Sequence, residues 1–87
     1  MTEIHITTID ASHYQVQLVS STATSHKVTV QPDYAQKLTA GRISTVDLIH
    51  QSFEFLLAHE PNTSILRSFD LSVIARYFPE YEREMSK

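Results

Sequence analysis

At Pro32 the apolar residues change period, and that switch limits the possible folds more than any other feature of the chain. Upstream they recur every second residue, as in half-buried strands; downstream they recur at three and four, as on one face of a helix. A chain that changes period once, from strands to helices, reads as α+β rather than as alternating β-α units.

The alternating part divides into three strands, at Glu3 to Ile9, Tyr14 to Val19 and His26 to Gln31. Ile4 and Ile6 share a face in the first, Tyr14, Val16 and Leu18 in the second, and Val28 and Val30 in the third. The residues between them are mostly Thr, His, Gln and Lys, so one face is apolar and the other wet. That pattern predicts an antiparallel meander. "DASH" (Asp10 to His13) has the composition of a hairpin loop, and "SSTATS" (Ser20 to Ser25) is the expected mobile loop.

Pro32 has no amide hydrogen for a strand ladder and closes the strand series, with Asp33 expected to cap a short helix over Tyr34 to Thr39. Gly41, the only glycine, falls where a helix end favours a positive φ. The next helix is strongly specified. Ser44 and Asp47 form a capping-box-like pair, Ile43 and Leu48 a hydrophobic staple, and Pro61 a stop. Between them Val46, Ile49, Phe53, Leu56 and Leu57 recur at helical spacing, widened by Leu48, Ser52 and Phe55.

A short helical turn is expected at Ile65 and Leu66, followed by a helix capped by Asp70 and stapled by Phe69 and Ile74. Leu71, Ile74, Phe78, Tyr81 and Met85 then form a seam that Pro79 interrupts. The first half, to Tyr77, reads as core. The second half, where Tyr81 and Met85 stand among glutamates, reads as a partner-binding hook that can be removed without unfolding the domain. The predicted fold is thus a single small α+β domain over residues 1–87: a three-stranded antiparallel meander packed against one long helix and a broken C-terminal helical segment.

Several chemistries lack their residues. The chain has no cysteine, hence no disulfide, thiol nucleophile or thiolate metal site. It has no P-loop, G-x-G-x-x-G or G-x-S-x-G motif, and one glycine gives little for a phosphate cradle. Five histidines raise a metal hypothesis, but His5, His13, His26, His50 and His59 do not follow a ligand spacing, and His50 with Glu54 reads as a surface pair one turn apart. No cofactor is expected. Seven basic against ten acidic residues, a net charge of −3, leaves no polybasic footprint. No apolar run reaches membrane-span length and the start "MTEIHITTID" lacks a signal pattern, so the expected compartment is the cytoplasm, without membrane contact.

Residues 27–58 resemble a ribbon-helix-helix unit of small bacterial repressors and antitoxins, in the strand "HKVTVQ", the helix "DYAQKLTA", a Gly turn and the helix "STVDLIHQSFEFLLAHE". That resemblance implies an intermolecular strand ribbon whose outward residues Lys27, Thr29 and Gln31 contact DNA. The stretch "SFEFLLAHEPNTSILRSFDLSVIARYFPEYE", Ser52 to Glu82, is similar to the C-terminal signature of uncharacterised small bacterial proteins. It implies tight packing of Phe53, Phe55, Ile65, Leu66, Phe69, Ile74 and Phe78. The function expected from these exclusions is that of a non-catalytic interaction or regulatory protein. A core this small also favours a homodimer. A DNA-binding regulator is the alternative, and a small metal-dependent enzyme a distant third.

Overall fold

The computed structural model describes residues 2–86. It has an α+β architecture in which a four-stranded mixed sheet carries its helices on one face. Strands β1 (Glu3–Thr8), β2 (His13–Val19) and β3 (Thr24–Thr29) form the expected antiparallel meander. The period-two residues face as predicted: Tyr14, Val16, Leu18, Val28 and Val30 are buried, and Ile4 and Ile6 are half-buried against them. The hairpin "DASH" closes through Asp10, whose Oδ1 accepts from the amides of Ser12 and His13, each at 2.9 Å. This is an Asx turn.

A fourth strand corrects the meander. β4 (Ser68–Asp70) runs parallel to β3, with Val28 opposite Phe69, giving the order β1-β2-β3-β4. Three residues are too few to display an alternation, and the pairing is set by a partner about 40 positions upstream, beyond the reach of any local pattern. Asp70 still caps, as expected, but it is also the last strand residue; its Oδ1 accepts from the amide of Ser72 at 2.9 Å. Ile65 and Leu66 are not helical. The turn precedes them, a 3-10 turn at Asn62–Ser64.

Helix α1 (Pro32–Thr39) begins with proline in its first turn, where the missing amide costs nothing, and not with an Asp33 cap. It ends on two left-handed residues, Ala40 (φ 52°) and Gly41 (φ 76°), of which only Gly41 takes that conformation without a Cβ penalty. Helix α2 (Thr45–His59) starts as predicted, with Ser44 Oγ accepting from the amide of Asp47 at 3.1 Å. Its buried stripe is Leu48, Ile49, Ser52, Phe53 and Leu56. Val46, expected on that stripe, is exposed, because at 100° per residue it lies on the margin of the arc.

A 3-10 turn at Leu71–Val73 leads into α3 (Ile74–Tyr77), which stops at Phe78 in extended conformation before Pro79, and α4 (Tyr81–Met85) follows. The part beyond the proline is not a free hook. Tyr81 has no exposed surface and Met85 is buried. The Tyr81 hydroxyl lies 2.6 Å from Ser52 Oγ, which itself donates to the Leu48 carbonyl at 2.7 Å. Tyr34 donates to Glu82 Oε2 at 2.7 Å, and Arg42 Nη2 to the Ser86 carbonyl at 2.8 Å. The physical reason is that α2 presents an apolar arc wider than the sheet alone covers, and α4 closes its second side.

Candidate functional site

The local signals that stop α2 also open a groove. Pro61 ends the helix, and Asn62 anchors the turn after it by donating from Nδ2 to the Thr22 carbonyl at 2.8 Å and to Thr24 Oγ1 at 3.0 Å. The loop "SSTATS" is therefore tied down at Thr22 and shortened by β3, which starts at Thr24. Below the turn the chain is extended, so successive side chains point in opposite directions. Ile65 enters the core while Leu66 turns outward and is 50% exposed. This corrects the expected packing role of Leu66. On the facing side, α3 sends Ile74 inward and leaves Tyr77 68% exposed.

Between these walls lies an open apolar groove of about 430 Å³, lined chiefly by Leu56, Leu66, Phe69, Val73, Tyr77 and Phe78, with Glu60 and Ser64 as its polar edge. That volume is within the usual range of ligand and side-chain pockets, about 300–1,000 Å³. Phe55, His59 and Phe78 support the end of α2 through close ring contacts, His59 stacking on Phe78 at 4.8 Å.

Beneath the groove sits a buried polar relay. His26, expected either near the other strand histidines or on the wet face of the sheet, is instead 1% exposed on the core side of β3 and packs against Phe53 with ring centroids 5.7 Å apart. Its Nδ1 is 2.7 Å from the Leu66 carbonyl and its Nε2 is 2.9 Å from Thr24 Oγ1. A carbonyl only accepts, so the Nδ1 proton is donated to Leu66; Thr24 then donates to Nε2 and accepts from Asn62. Among the described residues no buried side-chain nitrogen or oxygen lacks a partner. Thr24, His26 and Asn62 are thus bonded to one another and to the Leu66 carbonyl, and the polar residues lining the groove are Glu60 and Ser64.

The residues expected to bind DNA are dispersed in role. Lys27 is exposed opposite Gln15, Thr29 is half-buried opposite His13 and Asp70, and Gln31 lies past the strand, in front of α1. Their strand is interior, with β2 on one edge and β4 on the other, so the intermolecular ribbon of the ribbon-helix-helix resemblance has no free edge at β3. Tyr81 and Met85 belong to the core, as described above. The surface histidines pair locally, His13 with Asp10 at 2.8 Å and His50 with Glu54 at 3.1 Å, the latter as expected. No group of three metal-ligating side chains converges among the described residues. Asp10 is held below the usual carboxylate range by the Ser12 amide first and by His13.

Two phenols titrate upward: Tyr34 through burial and then Glu82, and Tyr81 through burial, which outweighs its bond to Ser52. Both are raised in the fold above their unfolded value near 10. Stability present below about pH 10 is therefore lost as the pH rises from there towards the folded values, at about 1 kcal/mol per pH unit for buried Tyr81. Urea unfolding at about pH 8 and pH 11 measures this slope. Tyr81→Phe should flatten it, and an unchanged slope would mean that Tyr81 ionises freely in the fold.

The groove is not legible in the sequence because two of its chief lining residues, Leu66 and Phe69, come from the outward side of the Ile65–Arg67 segment and from β4. A signal was present: Tyr77 and Leu66 are large apolar residues off the seam of Leu71, Ile74 and Phe78. No family model, curated protein or solved structure matches the chain.

Proposed function

We propose that the protein is a non-catalytic interaction module of the cytoplasm whose contact surface is the groove between α2, β4 and α3. The observation that carries this reading is the pair Leu66 and Tyr77, large exposed apolar side chains that both line one open apolar groove. Tyrosine in such a groove is the residue type that gives interfaces much of their energy. The occupant that fits is an apolar anchor side chain of a partner protein, with a basic neighbour placed to meet Glu60, the acid on the groove's edge. No bound chemistry is required, and no helix among the described residues is long and apolar enough to cross a membrane.

The test is a phenylalanine-lysine peptide, blocked at both ends, titrated into isotope-labelled protein. Amide shifts confined to Leu56, Leu66, Phe69 and Tyr77, and weakened at least tenfold by the double variant Leu66→Ser, Tyr77→Ala, support the groove. Shifts spread over the sheet, or unchanged by that variant, sink it. The reading as a DNA-binding regulator finds less support, since it relied on a free β3 edge and on Lys27 within an acidic chain.

A further inference from the structure

We propose that β1 is the contact between two copies of this chain, pairing antiparallel with itself about a twofold axis at His5 so that two sheets become one. This goes beyond the groove and does not depend on it.

The first argument is the free edge. Among the described residues β1 pairs only with β2, and its six residues include no proline, no bulge and no inward charge; Glu3, at its first position, is its one acid and faces outward. The opposite edge is guarded. β4 is three residues long and turns at once into the Asp70 cap. One open edge and one short one make a closed pair rather than a fibre.

The second argument is register. The Ile9 amide donates to the His13 carbonyl at 2.9 Å, which makes that pair a hydrogen-bonded one. By the alternation of antiparallel ladders, Thr7, His5 and Glu3 direct their backbone groups to β2, and Ile4, Ile6 and Thr8 direct theirs outward. The strand reads Glu-Ile-His-Ile-Thr about His5. Two copies antiparallel about His5 place Ile4 opposite Ile6 of the partner subunit, so outward amides meet outward carbonyls on both sides of the axis. The same register sets isoleucine against isoleucine on the core face. Ile4 and Ile6 are half-buried in the single chain, although they pack against its core. A second copy supplies the cover that the helices leave incomplete. A foreign strand would need the same alternation by chance, whereas a second copy carries it by identity.

The chain has no cysteine, so an engineered one reports on a single site. His5 is exposed, and in the proposed register it faces its own symmetry mate in a non-hydrogen-bonded pair, where side chains approach most closely. Mild oxidation of His5→Cys should give a disulfide-linked species of twice the chain mass, at least tenfold faster than Gln17→Cys, which shares the exposed face one strand further in. Glu3→Cys and Thr7→Cys should cross-link with each other when mixed and poorly alone. Sedimentation velocity of the unmodified chain should show a dimer, retained in the Leu66→Ser, Tyr77→Ala variant. A purely monomeric chain, equal cross-linking of His5→Cys and Gln17→Cys, or a dimer abolished by the groove variant would each overturn the proposal. Loss of peptide binding at the groove, with the dimer intact, bears on the function above and leaves β1 untouched.

Discussion

A chain ending at Pro79 is expected not to fold. The deletion removes Tyr81, fully buried, and Met85, buried beside it, together with the tethers from Tyr34 to Glu82 and from Arg42 to Ser86. Truncating a buried aromatic or methionine costs about 2–5 kcal/mol each, against a total stability of about 5–15 kcal/mol for a small domain. Circular dichroism and a thermal melt decide the matter: loss of the cooperative transition is the expected result. A truncated chain that still melts cooperatively, within a few degrees of the parent, would return the segment to the role of a dispensable hook. Tyr81→Phe separates the ring from the hydroxyl. Ser52 keeps its bond to the Leu48 carbonyl, so this variant should lose only about 1 kcal/mol. The packing of the ring, not its hydroxyl, is what holds α4 to α2.

His26→Ala should destabilise the fold by about 3–5 kcal/mol, an effect unexpected for a histidine in a strand with a wet face. The ring fills space beside Phe53, and its Nδ1–H satisfies the Leu66 carbonyl, so alanine leaves both a cavity and an unpaired buried acceptor. His26→Leu divides the two effects. It restores bulk but not the donor, and should cost about 1–3 kcal/mol, the range for an unsatisfied buried polar group. Urea denaturation of the three proteins gives the comparison. If leucine equals or exceeds the parent in stability, the bond to Leu66 contributes nothing and the ring serves as filler. The same variants bear on the groove, since the Leu66 carbonyl is held from inside while its side chain is displayed outside.

The strand faces, the Ser44 cap, the extent of α2 and the break at Pro79 were all legible in the sequence. Each depends on contacts within a few residues, or on a periodicity that either faces a core or does not. His26 shows the limit of that reasoning. Its place in β3 follows the same alternation that puts Val28 and Val30 inside, and a reading by residue type alone assigns it to the wet face. The groove was less accessible still. Leu66 and Tyr77 become a site only when β4 brings the Ile65–Arg67 segment alongside β3 and fixes α3 across from it.

By itself, then, the sequence determined an α+β chain with a meander before Pro32 and a capped amphipathic helix after it, because period, caps and proline act over one or two turns. The tertiary structure alone decided three things. It placed β4 beside β3, it turned Tyr81 and Met85 from a chain-end seam into core, and it left β1 as the long open edge. All three rest on pairings between residues far apart in the chain, and an amphipathic stripe records that it must be covered without recording what covers it.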